Sequence, residues 1–321
     1  MIDSDEKYGV RMTNPDPLTK ARPGNGGMIQ SGNGLLHRNF EMVALEGGTI
    51  RHLWRKSGEG GDFSWGKAEA FGNDAAGNPQ LISTTDERDW EAVCRAKGER
   101  LHAWKFDQAT KKWIDQGVFG PAQVVSAPGF VQNGAYRDLV VLTKDGVLRH
   151  WSRLGSRPLK GWGEKAKFGK GVQHSGPALV LADDNKRRHG LDLVVVAGGA
   201  MQHWQRRDGR TPAWQLADTF GKTASPPCMI EAQFGAKDED TMGNFELCVA
   251  VGGQVEHWWR ANTGDKRWRK SATFGSGVER VMSLVQGSFG FNLEVIVRRK
   301  DGKLQHWFRD SGGWKAGAVL P

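Results

Sequence analysis

The chain has 321 residues, enough for two ordinary domains or for one long repeat array, and its 38% hydrophobic and 25% charged content is that of a folded globular protein. No apolar run is long enough to cross a bilayer, which excludes membrane insertion. The net charge of +9 is scattered, without the Lys/Arg block that would mark a nucleic-acid stripe, and the cysteines, Cys94, Cys228 and Cys248, are too few for a disulfide framework and read as buried thiols.

The 44 glycines and 14 tryptophans suit short strands, tight turns and flat rings wedged between sheets, so the expected class is all-β. Met1 to Val10 are charged and lack an apolar core, so no signal peptide is visible and localisation stays open. Residues 1–26 read as a tail, and 27–321 as a single repeat domain.

A unit of roughly fifty residues, the spacing of propeller blades, then recurs six times. Each copy opens with an apolar run holding one carboxylate, at Glu41, Glu91, Asp138, Asp192, Glu246 and Glu294. Eleven or twelve residues later comes a histidine, with a cation three residues on: His52 and Arg55, His102 and Lys105, His150 and Arg153, His203 and Arg206, His257 and Arg260, His306 and Arg309. Gly-containing turns such as Gly47-Gly48 and Asp301-Gly302 lie between carboxylate and histidine, so the two flanking strands form a hairpin.

A tryptophan follows in every copy, at 65, 113, 162, 214, 268 and 314, and six residues later stands Phe-Gly, replaced by Leu320 in the last copy. A fourth segment, such as Leu81-Ile82 or Leu179-Val180, completes the first five units, often with Pro two residues before it, as an edge strand permits. The last unit stops at Pro321 without one, while Gly27–Ser31 matches that pattern ahead of the first unit. The expected architecture is therefore a six-bladed β-propeller of four antiparallel strands per blade, closed by an N-terminal strand that completes the last blade against its third strand.

Hairpin register sets Glu41 opposite Trp54 and Val43 opposite His52, so carboxylate and imidazole are diagonal neighbours on one face, and the same holds for Glu246 and His257. A pair repeated six times without an adjacent nucleophile reads as framework, and the strand-C tryptophans read as inter-blade packing. The histidines sit on different blades, so no metal site is expected.

Function belongs where the repeat breaks. The connections before each carboxylate strand all differ and share one face with the loops after each histidine strand, which points to one composite pocket around the axis. Its candidate hydrogen-bond donors are His37, Arg38, Arg88, Tyr136, Arg137 and His189. Its candidate walls are Trp54, Trp104, Trp259, Phe234, Phe289, Phe291 and Phe308; Trp54, Trp104 and Trp259 take equivalent positions at the end of the histidine strand.

The phrases Asn-Leu-Glu-Val-Ile-Val-Arg (292–298), Leu-Gln-His-Trp-Phe-Arg-Asp (304–310), Val-Glu-His-Trp-Trp-Arg (255–260) and Ser-Leu-Val-Gln-Gly-Ser-Phe-Gly (283–290) resemble the repeats of fucose-lectin-like propellers of fungi and bacteria. Within that group the chain is similar to fungal hetero-Diels-Alderases of tropolonic sesquiterpene pathways. That resemblance implies a cofactor-independent cycloaddition between a tropolone-derived o-quinone methide and a humulene-type alkene, held in a near-attack geometry. The alternative is a lectin, with an aromatic platform, an Arg and a carboxylate in each inter-blade groove and a glycan as partner. A bare protein-interaction platform is a third possibility.

Overall fold

The computed structural model describes residues 24–31, 39–56, 64–84, 89–173, 176–183, 189–207, 213–236, 243–288 and 290–321. They form six antiparallel sheets. After a short β1 (Asn25–Gly26), the first blade is β2 (Met28–Gln30), β3 (Phe40–Glu46), β4 (Thr49–Arg55) and β5 (Trp65–Lys67). The second is β6 (Gln80–Ser83), β7 (Trp90–Arg95), β8 (Leu101–Asp107) and β9 (Lys112–Phe119), and the third is β10 (Gly129–Asn133), β11 (Tyr136–Leu142), β12 (Leu148–Leu154) and β13 (Gly163–Phe168). The fourth is β14 (Ala178–Asp183), β15 (His189–Ala197), β16 (Ala200–Arg206) and β17 (Trp214–Lys222); the fifth is β18 (Cys228–Glu231), β19 (Phe245–Val251), β20 (Gln254–Arg260) and β21 (Arg269–Phe274). The sixth is β22 (Val278–Gln286), β23 (Leu293–Arg299), β24 (Leu304–Asp310) and β25 (Gly313–Val319).

The expected six-bladed propeller is therefore present, but the blades are cut one strand earlier than the sequence units. The segment taken as the fourth strand of each unit pairs with the carboxylate strand that follows it, as Ile82 does with Glu91 and Val180 with Asp192, and so forms the inner edge of the next blade. A proline before an edge strand fits either edge of a sheet, which is why spacing alone does not decide between them.

The N-terminal segment does join the last blade, though at its inner edge. Asn25 and Gly26 pair with Leu284 and Ser283 of β22, antiparallel, as a fifth strand, whereas Met28–Gln30 belongs to the first blade. Between them the chain reverses in the hub. Gly26 adopts φ +89°, and a Cβ there would lie 2.3 Å from the Met282 carbonyl oxygen; one on Gly27 would lie 2.2 Å from that of Val43. Asn25 donates to the Leu179 carbonyl (3.1 Å) and accepts from the Met229 amide (3.3 Å), and Gly26 N–H donates to Gln80 Oε1 (3.1 Å). One short segment thus bonds the inner strands of four blades.

Neighbouring blades meet through aromatic stacks. The Phe that ends one blade stacks on the tryptophan of the next: Phe71 on Trp113 (4.4 Å), Phe119 on Trp162 (5.3 Å), Phe168 on Trp214 (4.5 Å), Phe220 on Trp268 (4.5 Å) and Phe274 on Trp314 (4.0 Å). Leu320 takes this role against Trp65, both buried in one cluster. The three cysteines are buried free thiols, and Cys228 stands opposite Cys248 across the fifth blade. Burial pushes the Cys94 and Cys228 thiols up to about 12.

Candidate functional site between the blades

Each blade's inner strand runs toward the irregular connections, so the loops after the first and third strands share a face, and the second-to-third hairpins lie on the other. The repeated carboxylates and histidines sit between the blades. His52 Nε2 lies 2.9 Å from Glu41, His150 3.0 Å from Asp138, His203 2.7 Å from Asp192, His257 2.6 Å from Glu246 and His306 2.5 Å from Glu294. All ten side chains are buried.

The tautomer follows from the fourth blade, where Trp268 Nε1–H of the next blade donates to His203 Nδ1 (3.3 Å), leaving the proton on Nε2 for Asp192. The same edge-on relation joins His52 to Trp113, His150 to Trp214 and His257 to Trp314, at ring separations of 5.3–5.8 Å. The framework reading of these pairs therefore holds, and it makes a general-base role for them unsuitable: each imidazole is enclosed and already hydrogen-bonded to its carboxylate.

The second blade breaks the rule. Val93 stands opposite Ala103, as Val43 stands opposite His52, so the framework position is an alanine and the expected His102 lies one residue too early. A bulge at Ala103/Trp104 matches those at His150/Trp151, His203/Trp204 and His257/Trp258, and confirms the alignment. His102 faces the first blade instead, held by Asp74 (2.8 Å) and Asp115 (2.7 Å). Trp104 is displaced with it. It packs against Phe71 (5.5 Å) and is buried, so it is not the counterpart of Trp54 and Trp259; that position belongs to Lys105, opposite Glu91.

Without its histidine, Glu91 is taken by the third blade. Arg137 Nε donates to it at 3.2 Å and Arg153 Nη2 at 3.1 Å, and Arg153 lies over the Trp162 ring, 5.4 Å from its centroid. The Glu91 side chain is 16% exposed, against 9% for Arg137 and 7% for Arg153. Tyr136, one residue before Arg137 on β11, is exposed on the other side of the sheet.

Related arrangements occur at alternate grooves. Arg55 of the first blade reaches Glu294 of the sixth (3.5 Å), beside Phe40 and Trp65. Arg260 of the fifth lies over Phe245 and feels Asp192 of the fourth, which Arg207 also binds at 2.6 Å. Burial holds Arg55, Arg153 and Arg260 below the usual guanidinium range, and the facing carboxylates oppose that shift.

Among the described residues, the sequence-derived candidates are spread over several blades. Arg137 belongs to the groove between the second and third blades, which Tyr136, on the opposite face of the same strand, does not share. Phe234 and Trp259 share a buried cluster between the fifth and sixth, where Arg309 lies over Phe234. Phe308 stacks on His306, Trp54 stands opposite Glu41 and covers Gly66, and Phe291, at φ +53°, accepts from Gln286. His189 opens β15 opposite Asp183. His37, Arg38, Arg88 and Phe289 lie outside the described residues. Sequence reasoning missed Glu91 and Arg153 as site residues, because both match the framework pattern; the one available signal was Ala103 at twelve residues from Glu91, the spacing used by Asp138 and Glu294.

Among the described residues, no group of three or more His, Cys, Asp or Glu side chains could hold a metal ion, and no helix is long and apolar enough to cross a membrane. No protein-family model matches the chain. Solved structures do match it. The Aleuria aurantia lectin in complex with Fucα1-6GlcNAc aligns at TM-score 0.66 and 16% identity, covering 96% of this chain and 97% of that one. The chain shares the six-bladed propeller fold of that lectin. The SapL1 lectin in complex with α-methyl fucoside aligns at 0.62 and 13% identity over 95% and 99% of the two chains, and AofleA from Arthrobotrys oligospora at 0.61 and 10% over 97% and 95%. At such identities the likeness is one of fold.

The buried Asp192 gives a pH test. Burial alone would raise its pKa, but hydrogen bonds from His203 and Arg207 and their charges hold it below the usual carboxylate range. Its contribution to stability is therefore complete above the unfolded-state value of about 3.9 and is lost as pH falls through the lower folded value. In urea unfolding, Asp192→Asn is expected to cost about 3–5 kcal/mol at pH 7 and to flatten the decline below about pH 4. An unchanged acid limb would show that the pair does not carry this charge.

Proposed function

We propose that the chain is a carbohydrate-binding propeller, taking a fucose-type sugar in the grooves between blades. The observation that carries this is the cross-blade Arg–carboxylate pair beside an aromatic ring, built from Arg153, Glu91 and Trp162 in the groove whose carboxylate is least buried and echoed by Arg55, Glu294 and Trp65. A guanidinium supplies paired donors and a carboxylate supplies acceptors, which together match neighbouring sugar hydroxyls. The ring edge gives the apolar face of the sugar a surface to lie on. The fucoside complexes of the lectins that share this fold support the choice of sugar. A glycan array followed by calorimetric titration with α-methyl fucoside tests it. Saturable binding is expected, weakened at least tenfold (about 1.4 kcal/mol) in Arg153→Gln; an array without any fucosylated hit removes the reading.

A second reading rests on the unlike loops and on the donors gathered at one groove. Arg137, expected from sequence as a donor, stands beside Arg153, and a guanidinium hydrogen-bonded to a quinone-methide carbonyl would activate that diene for cycloaddition. The apolar pair Phe234 and Trp259 would shield an alkene from water, with no cofactor needed. Incubation with a tropolone alcohol and humulene is expected on this reading to yield one dihydropyran stereoisomer, at a rate lowered by Arg137→Gln. A racemic product at the background rate would exclude it.

A further inference from the structure

The propeller contains two arginine pairs that face each other directly across neighbouring strands. Arg137 and Arg153 are such partners in the third blade, and Glu91 lies between their guanidinium groups. Arg280 and Arg298 are the second pair, at the start of the sixth blade and on the hairpin face, away from the grooves discussed above. Like charges placed opposite each other across a sheet destabilise it. Here no acid bridges them: among the described residues neither guanidinium forms an ion pair, and Glu279, the acid whose charge reaches Arg280, is exposed.

The groups are also held in place. Arg298 Nη2 donates to the Leu45 carbonyl at 2.6 Å, which fixes its head group against the first blade. The Nε atoms of both arginines are buried without a hydrogen-bond partner. Arg280 lines a shallow cavity of about 450 Å³ on this face, together with Thr223, Ser225, Pro226, Val251 and Glu279. Ser225 Oγ is buried there and has no partner either, although Ser225 N–H is satisfied by Thr223 Oγ1 at 3.0 Å. One guanidinium without an ion pair and one spare hydroxyl, those of Arg280 and Ser225, line this cavity, and the charge of Arg298 stands behind Arg280 across the strand pair.

We infer that this cavity is a second binding site, for a small oxyanion such as a phosphate, sulfate or carboxylate group, held by Arg280 and Ser225 with Arg298 as the supporting charge. An oxyanion accepts from guanidinium N–H and hydroxyl donors at once and would offset the opposed cations. Burial and the Arg298 charge both hold Arg280 below the usual guanidinium range, and a bound anion would reverse that shift. The site is independent of the sugar or cycloaddition reading, since it lies on the opposite face and shares no residue with the grooves.

Titration calorimetry with sodium phosphate, sodium sulfate and sodium acetate, in chloride-matched ionic strength, tests the site on the full chain. At least one anion is expected to bind saturably and raise the melting temperature; tetrahedral anions ahead of acetate would point to phosphate or sulfate esters, and the reverse order to a carboxylate. Arg280→Gln and Arg298→Gln are each expected to weaken that binding at least tenfold while leaving the anion-free protein as stable or more so. Arg137→Gln, on the other face, should retain it. Absence of saturable binding to the wild type, or equal binding by Arg280→Gln, would overturn the assignment.

Discussion

The wedge between adjacent blades is the contact on which the rest depends. A phenylalanine from the end of one blade lies flat on the tryptophan of the next, and the histidine of the first blade meets that tryptophan edge-on. Stacked and T-shaped rings each contribute about 0.5–1.5 kcal/mol beyond the area they bury. The geometry is also directional, so every blade is set at one tilt against its neighbour. A single wedge would tolerate variation; repeated around a ring, it must close. The last wedge uses Leu320 against Trp65, and Asn25 then bonds the inner strands across the hub.

Polar satisfaction within the wedge decides where chemistry remains possible. A buried carboxylate without partners is costly, and in five blades the histidine meets that need, which leaves those carboxylates enclosed. In the second blade Ala103 removes the imidazole, and Glu91 turns to two arginines of the next blade. The loss of one framework residue thus leaves Glu91 the least buried of these carboxylates. The same logic distinguishes the two faced arginine pairs: one has its counter-ion within the protein, and the other is left to find one in solution.

Much of this was legible in sequence. The carboxylate-to-histidine spacing fixed the hairpins, and the Trp-to-Phe spacing identified the stacking pair, because both follow from the period of two along a strand. The order of strands across a blade was not legible. The segment at Leu81 has the composition of an edge strand, and only hydrogen bonding shows that it is the inner edge of the following blade. The hub was hard to read for a related reason: the role of Asn25-Gly26 as an axial strand depends on groups from distant blades. The site was hardest to see, since Arg153 obeys the repeat in every local respect and differs only in what the preceding blade offers it.

The wedge is tested most directly by a double-mutant cycle on Phe274 and Trp314, the closest of the stacked pairs at 4.0 Å. Stabilities of the wild type, Phe274→Leu, Trp314→Leu and the double variant give the coupling between two blades free of each residue's own burial. The account predicts a favourable coupling of about 0.5–1.5 kcal/mol. Strictly additive losses would contradict it, and would mean that the blades are held by burial alone without a specific aromatic contact.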